Sequence, residues 1–165
     1  MLLCDWSIME KVMHITYDDL VEKQKLLDRK YSERAADLIE GAQKLLEEYR
    51  ESLVYSGENK AKIAFIGDFI DGKAEFVKLS ESHLDEDYRL TFNILTDLTV
   101  SELRKVFATV RLTIYKESGR VFVLVGDRHQ ASYIIPNDNS AYSYQQVCLA
   151  IKNNISDFLD AGMPK

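Results

Sequence analysis

A proline-free run from Thr16 to Tyr55, rich in Leu, Ala, Glu, Lys and Arg, constrains this chain more than any other stretch. Such residues lose little side-chain freedom in a helix, so the run predicts one long helix or two helices end to end. Its start is written locally. Thr16 and Asp19 have the spacing of a capping box, and Ile15 and Leu20 flank the cap as a hydrophobic staple. Asp18 and Asp19 set negative charge at the positive end of the helix dipole. Apolar positions recur at Leu27, Tyr31, Ala35, Leu38, Ala42, Leu45 and Tyr49, a seam along one face. The opposite face carries Glu33, Arg34, Asp37, Glu40, Lys44, Glu47, Arg50 and Glu51. Gly41 costs up to about 1 kcal/mol relative to alanine in mid-helix, which predicts a close approach by another element there. Tyr31-Ser32 offers a break, so an αα-hairpin is the alternative to one rod. Gly57 is expected to end the helix.

Before the run, Trp6, Ile8, Met9, Val12, Met13 and Ile15 suit a short helix better than a strand, with Trp6 in the core. After it the period changes. Ile63 to Ile70 is almost wholly apolar, Asp71-Gly72 is a two-residue hairpin signal, and Ala74 to Leu79 returns. That pairing sets Asp68 opposite Glu75, a like-charge contact that disfavours it, so a longer loop from Gly67 is the alternative. Tyr88 to Leu95 alternates as a half-buried strand. Thr99 with Glu102, flanked by Leu98 and Leu103, repeats the cap-and-staple pattern and predicts a short middle helix. Three more strands follow, from Thr109 to Lys116, Arg120 to Val125 and Ala131 to Ile135, with Ser118-Gly119 as the first turn. Ser143 with Gln146, flanked by Tyr142 and Val147, starts a last helix that stops before Gly162.

This order predicts an α+β fold: a long N-terminal helix or αα-hairpin, a largely antiparallel sheet of about six strands, a short middle helix, and a C-terminal helix packed on the sheet. At 165 residues the chain fits a single domain, 1–165, with 16–56 as a helical subregion. Apolar residues at 46% and charged residues at 29% place it among globular chains rather than disordered ones. No run of 18 apolar residues suggests a membrane span, and the first residues lack the basic region of a secretion signal. Cys4 and Cys148 are far apart without CxxC spacing, which fits a reduced, cytoplasmic chain with idle thiols.

The net charge of −6 is uneven: residues 1–100 hold 13 Lys/Arg against 21 Asp/Glu, and residues 101–165 hold 8 against 6. An acidic chain without a basic stripe disfavours direct nucleic-acid binding. It suits a basic protein partner, including one that itself binds nucleic acid.

Chemistry-bearing residues are sparse. Asp68, Asp71, Asp127 and His129 lie at strand ends and turns, where paired carboxylates and an oriented histidine would serve acid/base work or a divalent ion. His83, Asp85 and Asp87 alternate in an acidic loop and are the metal candidates, though the spacing and glycine of a calcium loop are missing. Turn and loop formation is the better explanation of each of these carboxylates. No phosphate-loop, zinc or nucleophile motif is present, and no cofactor is implied. The expectation is therefore a small cytosolic protein-interaction factor, an inhibitor or sequestering protein of the immunity, antitoxin or phage counter-defence kind. Its partner-binding residues are expected on the long helix, at Tyr31, Glu40, Lys44, Glu47, Glu48, Tyr49 and Glu51. A turn-carboxylate enzyme and a small-ligand-binding domain are the alternatives, and surplus apolar surface on the helix would pair two copies as a dimer.

Overall fold

The structure, a computed structural model, describes residues 14–127, 131–137 and 140–165. The chain forms two compact units, residues 1–34 and 35–165. The segment Met1–Met13, including Trp6 and Cys4, lies outside the described residues.

The helical run is one helix, α1, Tyr17–Ser52, with no break at Tyr31-Ser32. Its capping box forms as spaced: the Thr16 amide donates to Asp19 Oδ2 at 3.0 Å, and the Asp19 amide donates to Thr16 Oγ1 at 3.2 Å. Those bonds hold the Asp19 carboxyl below its ordinary pKa. The flanking Ile15 and Leu20 are both about half exposed. In the first unit the helix is a charged rod, with Gln24 donating to Asp28 at 2.9 Å and Lys25 beside Glu22 at 3.3 Å. From Ala35 the same helix is amphipathic, and Ala35, Leu38, Ala42, Leu45, Leu46 and Tyr49 are buried.

The second unit is a sheet with helices. A short helix α2, Lys60–Ile63, leads into β1, Ala64–Ile70. Then come β2, Lys73–Phe76, a single 3-10 turn at Glu81–His83, β3, Leu90–Asp97, β4, Phe107–Glu117, β5, Arg120–Val125, β6, Ala131–Ile135, and α3, Gln145–Ala161. The six strands form one antiparallel sheet in the order β2-β1-β3-β4-β5-β6. The architecture is the expected α+β one.

Two hairpins follow their turn residues. Asp71 and Gly72 have φ of 53° and 76°, and Ser118 and Gly119 have 53° and 76°. Two consecutive left-handed residues are the mark of the type I′ turn, whose twist matches paired strands. The first turn does set Asp68 opposite Glu75. Both side chains are exposed, and Asp68 is stabilised instead by Asn93, whose Nδ2 donates to Oδ1 at 2.6 Å. Gly67 is required where β1 meets β2, because a Cβ there would strike the Glu75 carbonyl oxygen.

One face of the sheet meets the helices. Gly41 lets α1 approach closely: a Cβ there would lie 3.1 Å from both Ile114 Cδ1 and the Tyr144 hydroxyl. Nearby, the buried Tyr49 hydroxyl and Thr96 Oγ1 are 2.7 Å apart. Ile66, Ile94, Leu112, Ile114 and Val123 complete this core with Leu38, Leu45, Val147 and Ile151. Across the sheet, Phe65 and Phe69 stand edge-on to Phe107, Tyr115 stacks on Phe122, and Arg89 lies over the Tyr115 ring.

Three local expectations differ from the structure. The short helix sits at Lys60–Ile63, and residues 99–106 form a hairpin loop instead of a helix. Asp97 Oδ1 accepts the Thr99 amide, and Thr99 Oγ1 accepts the Val106 amide at 2.9 Å, so the hydroxyl closes the β3–β4 loop instead of capping Glu102. Val100 and Leu103 are left almost fully exposed. The end of α1 comes before Gly57, where Val54 takes the left-handed conformation at φ 51°. Ser143 does not cap α3: its hydroxyl donates to the Ser140 carbonyl at 2.8 Å, and Tyr144 holds the N-cap position without a side-chain cap of its own.

Candidate functional site

The missing cap of α3 leads to the site. Helix α3 has no acidic residue in its first turn. Its first amides need an acceptor, and the positive end of its dipole favours an anion. Glu48 of α1 supplies both. Its Oε2 accepts the Tyr144 amide at 2.8 Å, a bond between residues 96 apart in sequence. Lys152 of α3 returns the favour in charge: its Nζ donates to the Ser52 carbonyl, in the last turn of α1, at 3.0 Å. Each helix thus terminates the other, an anion at an N-terminus and a cation at a C-terminus.

Between these two bonds lies a cleft of about 400 Å³. Glu48, Glu51 and Ser52 line it from α1, and Gln145, Cys148 and Lys152 from α3. Leu149 and the largely exposed Tyr142 give it apolar surface. Glu48 is only 9% exposed. Its second oxygen, Oε1, is fully buried and accepts no hydrogen bond from the described residues. A buried acceptor without a donor costs roughly 1–3 kcal/mol, more when charged.

The surroundings are poor for covalent chemistry. Burial, reinforced by the Glu48 charge, pushes the Cys148 thiol up to about 12, with Lys152 only partly offsetting it. A thiol in that state is protonated at neutral pH and is a weak nucleophile. Burial, with Glu48 and Glu40 adding to it, pushes the Tyr144 phenol up to about 12 as well.

The residues singled out in sequence come together only in part. Asp68 is tied to Asn93, and Asp127 pairs with Arg111 Nη1 at 3.5 Å. Asn93 and Arg111 are cross-strand partners, so these two acids belong to one polar patch. A depression of about 140 Å³ there also takes in His83. Asp71 stays at its exposed hairpin tip, and His129 lies outside the described residues. The metal candidates do not converge. His83 Nδ1 accepts the Ser80 amide at 3.0 Å. Asp85 Oδ1 accepts the amides of Asp87 and Arg89 at 2.8 and 2.9 Å and shapes its own loop. Among the described residues no group of three or more His, Cys, Asp or Glu is placed to hold a metal ion.

The expected partner surface divides. Glu40, Glu47 and Glu51 are exposed, and Lys44 and Tyr31 half-buried. Tyr49 is wholly buried against Thr96 and belongs to the core, where burial raises its phenol pKa. Glu48 lies in the cleft instead of on an open surface. Sequence reasoning did not find Tyr144, Cys148 or Lys152 as its neighbours, since nothing local announces a cap supplied from 96 residues away. Among the described residues no helix is long and apolar enough to cross a membrane. No family model, no curated protein and no solved structure matches this chain.

Proposed function

We propose that this chain is a small protein-interaction factor that inhibits or sequesters another protein by holding a basic segment of it. The reading is of the immunity, antitoxin or phage counter-defence kind, acting by occupying its target. One observation carries it: the exposed acids Glu40, Glu47 and Glu51 lie on the same stretch of α1 as the buried carboxylate of the Glu48 cleft. Exposed acids steer a basic partner by long-range attraction, and a cleft beside them offers a place to anchor it. The protonated Cys148 thiol supports occupancy over covalent catalysis at this cleft.

The test is affinity capture from native extract with the parent chain and with Glu51→Lys, a change at an exposed position. A stoichiometric basic protein retained by the parent and lost by the variant is the expected result. A chain that retains no partner, or retains it equally after the charge reversal, refutes the reading. The cleft volume also suits a small molecule, since ligand sites commonly span about 300–1,000 Å³. In that case a small molecule raises the melting temperature and no protein is captured.

A further inference from the structure

We infer that the cleft between α1 and α3 receives a guanidinium group, which donates to the buried Glu48 Oε1 and pairs with Glu51. The inference rests on the proposed binding role and names the chemistry of the partner's anchoring side chain.

The first ground is the unfilled acceptor. Glu48 is 9% exposed and lines the cleft, and its two oxygens differ sharply. Oε2 accepts the Tyr144 amide, whereas Oε1 is buried and accepts nothing from the described residues. A carboxylate oxygen in that position calls for an N–H donor, and because it has almost no accessible surface of its own, a donor entering the cleft reaches it only as the lining side chains shift. The second ground is charge. Glu48 and Glu51 face one cation in the cleft, Lys152, and its Nζ is bonded to the Ser52 carbonyl at 3.0 Å. A single additional positive charge neutralises the set.

Guanidinium fits better than ammonium for two physical reasons. It is the more weakly hydrated cation, so it loses less on entering a partly buried site. It also presents several N–H groups in one plane, so one group can reach Oε1 while another reaches Glu51, with its faces against Tyr142 and Leu149. An ammonium offers neither the fork nor the flat apolar faces.

The experiment is a titration of the isotope-labelled full chain, followed by amide nuclear magnetic resonance. The probes are N-acetyl-arginine methylamide, its lysine counterpart and its citrulline counterpart, which has the shape of arginine without the charge. Saturable shifts at Tyr144 and Gln145 with the arginine probe are expected. The lysine probe should bind at least about tenfold more weakly, a difference of about 1.4 kcal/mol, and the citrulline probe should leave these amides unmoved. Glu48→Gln should remove the response, and Glu51→Gln should weaken it. The second change is at an exposed residue, so it keeps the test open if the first variant does not fold. Equal response to arginine and lysine, or a response that survives both substitutions, overturns the inference.

A short arginine-containing peptide separates the two sources of the group. Tighter binding than the capped amino acid assigns the site to a protein-borne arginine and supports the inference as stated. Equal binding assigns it to a free arginine-like molecule, which overturns the link to a protein partner and keeps the guanidinium site. A captured partner whose arginines can all become lysine without loss sinks the guanidinium inference and leaves the protein-binding reading standing.

Discussion

Replacing Glu48 by alanine tests whether a side chain of α1 holds the start of α3. Two effects oppose each other. The substitution removes the acceptor of a buried amide bond of 2.8 Å. A hydrogen bond to a charged group contributes about 1.5–3 kcal/mol, and a partly buried charge at a helix end up to about 2 kcal/mol. These overlap, since the same carboxylate provides both, so the loss is about 3 kcal/mol. Against this, alanine removes the buried and unpaired Oε1, a relief of roughly 1–2 kcal/mol. The expected net loss is about 1–2 kcal/mol. For a domain of this size that lowers the melting temperature by about 2–8 °C, read by circular dichroism. Glu48→Gln keeps an acceptor oxygen and loses the charge, so it should fall between parent and alanine. Hydrogen exchange at Tyr144 should quicken by about tenfold in the alanine variant, the equivalent of about 1.4 kcal/mol. An alanine variant as stable as the parent refutes the reasoning, because burial of the orphan oxygen would then cancel the cap in full.

Val54→Gly should stabilise the chain by about 0.5–1 kcal/mol: a β-branched residue at φ 51° is relieved of a left-handed penalty of about 1–2 kcal/mol, less the added chain entropy of glycine; a lower melting temperature counts against it. Gly67→Ala should destabilise by about 2–3 kcal/mol in chemical denaturation, because its Cβ meets the Glu75 carbonyl and the β1–β2 hairpin must shift; an unchanged midpoint argues against that contact. Tyr49→Phe and Thr96→Val should each cost about 1–2 kcal/mol, and the double variant less than their sum by about 1 kcal/mol, since each single change strands a buried partner; strict additivity rejects the bond. Cys148, in a Cys4→Ser background, should resist a thiol reagent at pH 8 until the chain unfolds. Its folded pKa of about 12 lies above the ordinary value, so its contribution to stability is full below pH 9 and is lost as the pH rises toward 12; rapid labelling of the folded chain contradicts this.

Three cap patterns stand in the sequence, at Thr16, Thr99 and Ser143, and they show what local reading can and cannot do. At Thr16 the residues that decide the outcome lie within three positions, and the box forms. At Thr99 the same spacing competes with Val106 across a loop, and strand pairing wins the hydroxyl. At Ser143 the side chain bonds to Ser140, while a glutamate from the other end of the unit takes the amide. Glycine patterns behaved similarly. The two I′ hairpins and the close approach at Gly41 were legible because a backbone angle or a missing Cβ points to one cause. The cleft was not legible, because its charge sits on residues that a periodicity argument reads as helix surface. Glu48 looks in sequence like its solvated neighbours Glu47 and Glu51, and only packing against α3 sets it apart.

The bond between Glu48 and Tyr144 also has a kinetic meaning. Helix α3 follows the sheet, and the acceptor for its first turn is made long before it. The hairpins of the sheet pair near neighbours and can form early, since short loops close at little entropic cost. A free segment spanning 140–161 would lack both its anion and the surface that covers its apolar face, and most of the stability of a protein helix comes from such packing. Its order therefore arrives with docking, and so does the C-terminal bond from Lys152 to Ser52. Opening of α3 and fraying at the end of α1 are then one event. Any molecule held in the cleft shuts both at once.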